Sequence, residues 1–226
     1  VSGASGLIYA VRTVKALLDS DRTVELVASR AVYQVWQAEA NIRLPTDLDR
    51  QTDFWRQQAD SWTGQLTCHA WGNVGAAIAS GSYRTQGMVV IPCSMGTVAK
   101  LAAGLSSDLL ERAADVQLKE ARRLVVVPRE TPFSLIHLRN LTALAETGVR
   151  IVPAIPAWYH QPQTILDLVD FVVARALEQL GIELELVERW TGPRSGDGGG
   201  DGIPGSASRS LSTGMSTGVE VKGEAG

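Results

Sequence analysis

The sequence predicts an α/β fold: a single domain built on one parallel sheet with helices on both faces. Two observations carry that prediction. Short runs that are apolar throughout, MVVI at 88–91 and LVVV at 124–127, are the pattern of strands covered on both sides. The segments between such runs carry apolar residues at helical spacing, and regular strand–helix alternation makes a parallel sheet. A chain of 226 residues with 45% hydrophobic content is long enough to bury one full core.

Taken in order, a first strand ends just before Gly3 and is mostly lost ahead of the first residue. VELVA at 24–28 is the next strand, and 31–40 reads as a helix. The run at 88–91 is followed by a helix rich in Ala and Leu from about Thr97. After 124–127, Ser134 is placed to cap a helix whose Leu135, Leu138, Leu141 and Ala145 share a face, with Gly148 to end it. VRIV at 149–152 is a further strand. A long helix after Pro162 puts Ile165, Leu168, Val169, Val172, Ala176 and Leu180 on one apolar side. The domain spans 1–190. Residues 191–226 hold 11 of the 22 glycines, too little apolar surface to offset the entropy of ordering, so a disordered Gly/Ser-rich tail is expected.

Composition excludes several classes. A net charge of −3 and a pI near 5.7 do not suit a nucleic-acid surface. No apolar run is long enough to span a bilayer, and VSGASG does not read as a secretory leader. Cys68 and Cys93 are too few for a disulfide framework, and no Cys/His spacing suggests a metal. A reduced, cytoplasmic setting is expected.

In such sheets ligands bind beyond the carboxyl ends of the strands. Five segments stand there: SGASG at 2–6, Ser29, PCSMGT at 92–97, PRETPFS at 128–134 and PAIPAWYHQPQ at 153–163. Three begin with a proline that is expected to stop its strand. Gly3 and Gly6 allow close backbone approach, and a helix N-terminus behind them suits phosphate. Ser94, Gly96 and Thr97 repeat that arrangement, although each loop alone reads equally well as an ordinary turn or cap. Arg129 can fork onto a phosphate, and Glu130 beside it can transfer a proton. Arg175 flanks the apolar stripe of the last helix, where a structural ion pair is an equal alternative. Tyr159 can pack or can hold a ligand through its hydroxyl. Lys119 taken alone reads as a solvated helix charge, and His69 and His137 as structural. Ser5 lacks the G-x-S-x-G setting of a hydrolase nucleophile.

Together, GASG, PCSMGT, ERAADVQLKE, VPRETPFSLIHLRNL and YHQPQTILDLVDFVVARALEQLGI resemble the UbiX-type flavin prenyltransferases (the UbiX/Pad family), in family order from residue 1 to about 190. The resemblance implies a flavodoxin-like subunit, assembled as a homododecamer, that binds FMN and joins the dimethylallyl group of dimethylallyl monophosphate to N5 and C6 of reduced FMN. No metal takes part. The prenylated FMN serves UbiD-type decarboxylases, as in ubiquinone biosynthesis. By position, the resemblance assigns Gly3, Ala4, Ser5, Ser29, Ser94, Met95, Gly96, Thr97 and Arg129 to FMN. It assigns Tyr159 and Arg175, with Lys119 and Arg129, to the prenyl phosphate. Glu39 and Glu130, helped by Ser5, fall at the reacting centre, and Trp190 is a C-terminal aromatic beside it. One departure is Val74, which stands where some relatives carry a tryptophan, with Trp71 three residues earlier. Two other readings compete: an FMN-dependent cysteine decarboxylase, and a non-catalytic FMN-binding subunit.

Overall fold

The computed structural model describes residues 1–184, 186, 187 and 192. The expected tail and Trp190 lie outside the described residues. Strands β1 (Thr23–Val27), β2 (Gln65–His69), β3 (Gly87–Cys93), β4 (Arg123–Pro128) and β5 (Arg150–Ile151) alternate with helices α1 (Leu7–Asp19), α2 (Arg30–Ala40), α3 (Leu48–Ala59), α4 (Met95–Ala102), α5 (Leu109–Lys119), α6 (Leu135–Glu146) and α7 (Ile165–Gln179). Every strand pairing is parallel: β2 beside β1, and β3–β4–β5 in that order. Between β1 and β3 stand Val1 and Ser2. The Val1 ammonium donates to the Val27 carbonyl at 2.8 Å, the Ser29 N–H to the Val1 carbonyl at 3.0 Å, and the Ser2 N–H to the Pro92 carbonyl at 3.2 Å. These bonds are of the kind a parallel ladder makes on both sides, so Val1 and Ser2 join the two parts at their carboxyl ends.

The central strands are sealed. Val125, Val126 and Val127 are wholly buried, as their apolar run requires. One face packs on α1 and α7 through Val172, Val173, Ala176 and Leu177. The other packs on α4 and α5 through Val98, Leu101, Leu110 and Ala114. Around β1 and β2, Trp36, Phe54 and Trp55 meet edge to face at 5.1 to 6.2 Å. Burial pushes the thiols up to about 11 for Cys68 and about 12 for Cys93, so neither is a nucleophile at neutral pH.

Four expectations need correction. Pro92 does not stop its strand: β3 runs on to Cys93, through an irregularity in its pairing with β4. The strand expected at 149–152 shrinks to Arg150 and Ile151. Ile165 leaves the α7 stripe for solvent, because it starts the helix beyond the sheet. On α6 only Leu144 is buried, while Leu135 and Leu138 point outward. The α6 cap itself is as expected, with Ser134 Oγ accepting from the His137 N–H, and His137 Nδ1 accepting from the Ser134 N–H. Each cap of this kind contributes about 1 kcal/mol.

Candidate functional site

The carboxyl edge of the sheet gathers the loops that the topology requires. Its centre is the turn after Ser2. Buried Ser2 donates its hydroxyl to the Pro92 carbonyl at 3.2 Å and accepts the Ser94 N–H at 2.8 Å, tying the first loop to the third. Gly6 closes that turn at φ 97°, a left-handed conformation that favours glycine. Gly3 has a different constraint: a Cβ there would lie 2.3 Å from Ala31 Cβ at the start of α2. Gly3→Ala is therefore expected to displace the first loop and weaken any ligand held there by tenfold or more. Ala31→Gly in the same chain should restore it, as equilibrium titration of the paired variants would read.

The N-terminus of α1 already holds an anion. Glu39, at the end of α2, takes the Gly6 N–H at 2.7 Å and the Leu7 N–H at 3.2 Å on its two carboxylate oxygens. Backbone N–H groups at a helix start favour negative charge, and this carboxylate demonstrates it. Across the third loop, Ser94 caps α4 by accepting the Thr97 N–H at 3.2 Å, with the two hydroxyls 3.0 Å apart. Gly96 is exposed and opens onto space: a Cβ there would meet only Ser94 Oγ, at 4.0 Å. Met95 is buried beneath. From the fourth loop Arg129, half-buried, donates from Nε to the Ser5 carbonyl at 3.1 Å, and its N–H is held by the Cys93 carbonyl. Glu130 follows, with Oε1 accepting the Thr131 N–H at 3.1 Å. Ser29 sits at the start of α2, its N–H on Val1 and its hydroxyl unused as a cap. Ala4 is buried behind the loop.

So Gly3, Ala4, Ser5, Ser29, Glu39, Ser94–Thr97, Arg129 and Glu130 share one edge. The remaining candidates do not join them so closely. Tyr159 lies past β5, its ring edge-on to His160 and Phe171. One turn beyond Phe171, Arg175 pairs with Glu178 and lines a groove of about 650 Å³ along β5. Lys119 is elsewhere: it ends α5, just before β4 starts, at the opposite edge of the sheet, and it pairs with Glu120 beside Gly81. Ser2 is not among the sequence candidates; its only signal is a small polar residue ahead of the glycine turn. Val74 and Trp71 are both exposed, in the segment after β2. Among the described residues no cluster of ligating side chains could hold a metal, and no helix is long and apolar enough to cross a membrane.

Comparison with known proteins places the chain in a family. The model of the Flavoprotein family matches residues 1–177. The flavin prenyltransferase UbiX of Synechocystis sp. is 71% identical over 198 residues, covering 87% of this chain and 96% of that protein. The chain belongs to the UbiX family of flavin prenyltransferases. The family's enzyme from Pseudomonas aeruginosa is 43% identical over 190 residues, 84% of this chain and 91% of its own. Among solved structures, AnUbiX in complex with FMN and dimethylallyl pyrophosphate superposes with a TM-score of 0.74 at 36% identity, over 84% of this chain and 94% of that one. A dodecameric FMN-dependent UbiX-like decarboxylase from Escherichia coli O157:H7 superposes at 0.72 with 41% identity, over 84% and 96% of the two chains. The fold is thus the flavodoxin-like one of UbiX structures, and the chain is a transferase acting on FMN.

The residues present suit that cofactor. The hydroxyls of Ser94 and Thr97, the open backbone at Gly96 and the guanidinium of Arg129 form a donor set for an anion. The carboxylate seated on Gly6 and Leu7 shows that the first loop also accepts negative charge.

Proposed function

We propose that this chain transfers the dimethylallyl group of dimethylallyl monophosphate to reduced FMN, without a metal. The observation that carries the reading is the convergence of Arg129, Glu130, Glu39 and the Ser94–Thr97 cap on one sheet edge. Reduced FMN, when bound, supplies the two positions, N5 and C6, that become bonded to the prenyl group.

Gly3, Ala4, Ser5, Ser29, Ser94, Met95, Gly96, Thr97 and Arg129 hold the flavin in this reading. Tyr159, Arg175 and Arg129 hold the phosphate. A leaving phosphate that has no metal beside it needs fixed donors and cations, which stabilise the charge that develops as the bond breaks. Glu130 donates a proton to the departing phosphate. Glu39, steadied by the two N–H groups of α1 and assisted by Ser5, accepts the proton lost on ring closure. Trp190, outside the described residues, is assigned to this site by the resemblance alone. A folded domain over 1–190, followed by a Gly/Ser-rich extension, is part of the same reading.

The assembly is a homo-oligomer, and we take it to be a dodecamer. Leu135, Ile136, Ile155, Trp158 and Ile165 lie around the N-termini of α6 and α7, from 62% (Leu135) to 76% (Ile165) exposed. Patches of that kind mark interaction surfaces. Lys119, at the far edge of its own sheet, then serves the phosphate of a neighbouring copy rather than its own. The product passes to a UbiD-type decarboxylase in the cytoplasm.

The test is anaerobic incubation with reduced FMN and dimethylallyl monophosphate, then mass spectrometry of the released flavin. Gain of one C5H8 unit is expected. Unmodified FMN from protein that retains it would overturn the reading in favour of a non-catalytic flavin carrier or a flavin-dependent decarboxylase.

A further inference from the structure

Past β5 the chain turns back onto α7. Gln161 takes a left-handed φ of 53° and donates its N–H to the Trp158 carbonyl at 3.0 Å, closing a turn that carries Tyr159 and His160. The Gln163 and Thr164 N–H groups then both bond Asp167 Oδ2 at 2.8 Å, fastening the segment to the first turn of α7. Asp167, Phe171 and Arg175 follow at four-residue spacing, so they stand above one another on one face of that helix.

Phe171 is where the turn meets that face. Its ring stacks on His160 at 5.4 Å, with 6° between the planes, and meets Tyr159 edge-on at 5.8 Å. Tyr159 and His160 meet each other edge-on at 5.7 Å. Each ring thus has the other two as neighbours, in geometries that aromatic pairs favour. His160 is the odd member. A neutral imidazole carries one N–H donor and one acceptor nitrogen. Both nitrogens are buried, and neither has a hydrogen-bond partner among the described residues. Polar atoms buried unpaired are unfavourable, so His160 is held by its ring and not by hydrogen bonds.

We infer that His160 is a positioning residue for the substrate phosphate: its ring, wedged on Phe171, sets the direction of the Tyr159 hydroxyl relative to Arg175. The inference rests on the functional reading above, which gives Tyr159 and Arg175 to that phosphate. Phe171 links the two, because it meets Tyr159 edge-on and stands one turn before Arg175, and Phe171 and Arg175 line the same groove along β5. Without His160, Tyr159 loses one of the two rings that hold it, and its ring can swing on Phe171. A donor that must be ordered afresh at each binding event weakens affinity.

The experiment is equilibrium binding of dimethylallyl monophosphate to the FMN-loaded protein, with the flavin left oxidised so that no transfer takes place. His160→Phe keeps a ring and discards both nitrogens; His160→Asn keeps polar atoms and discards the ring. His160→Phe should bind within about twofold of the parent, and His160→Asn about tenfold more weakly, since one aromatic pair is worth roughly a factor of two to ten. FMN retention and the thermal midpoint report folding. If His160→Asn unfolds, His160→Leu fills the space without an aromatic face and gives the same comparison. The decisive arm repeats the pair in Tyr159→Phe. With no hydroxyl left to aim, the cost of losing the His160 ring should shrink to within about twofold. An undiminished cost there would overturn the inference, because His160 would then act without Tyr159. So would a His160→Phe as weak as His160→Asn, which would make the imidazole nitrogens themselves the phosphate's ligands. Equal binding by parent and all variants would overturn it alone and leave the functional reading standing. A parent that binds FMN but no monophosphate would overturn both together.

Discussion

Glu130→Gln is expected to lower prenyl transfer by about a hundredfold or more while leaving FMN binding nearly intact. General acid–base catalysis typically contributes a factor of about 10² to 10⁴, and the amide keeps the shape and the hydrogen bond to the Thr131 N–H but has no proton to donate. The variant therefore separates chemistry from folding and binding. Single-turnover formation of prenylated flavin, measured beside an FMN titration, checks both halves. A turnover within twofold of the parent would remove Glu130 from the proton path. A matching loss of FMN would make it a binding residue instead.

The sequence already revealed the centre of the sheet and most of the edge. β3 and β4 announce themselves because their centres are covered on both faces, so the runs 88–91 and 124–127 are apolar throughout. Ser134 and Gly148 mark the ends of α6 through local backbone chemistry that needs no tertiary context. β2 and α3 were not legible for the opposite reason. β2 is an edge strand in which only Leu66 and Cys68 are buried, and α3 is polar apart from Leu48, Phe54, Trp55 and Ala59, with Gln51 buried beside Trp55 and Ala59. Such elements are held by a few aromatic contacts that arrive from α2, which no local window contains. Periodicity on α6 gives an apolar stripe but does not say what covers it, which is why the outward Leu135 and Leu138 depart from expectation. Among the described residues nothing covers Leu135 and Leu138. Lys119 shows the same limit. Its motif carried family resemblance, but its place at the end of α5 puts it across the sheet from Arg129.

Arg129 is the second residue on which a large effect is expected, because it joins two loops and two tasks. Its Nε is used on the Ser5 carbonyl, which locks the fourth loop to the first and leaves the rest of the fork available to an anion. Arg129→Ala removes both the brace and the charge. A hydrogen bond to a charged group is worth about 1.5–3 kcal/mol, so FMN affinity should fall by roughly ten- to a hundredfold. Prenyl transfer should fall further, since the developing charge on the leaving phosphate also loses a cation. Arg129→Lys is the informative partner. It restores the charge but not the planar fork, and an ammonium that satisfies Ser5 cannot also present two parallel donors. The expected pattern is partial recovery of transfer with little recovery of FMN affinity. Full recovery of both by lysine would mean that Arg129 acts as a point charge, and the brace to Ser5 would then have no part in holding the flavin.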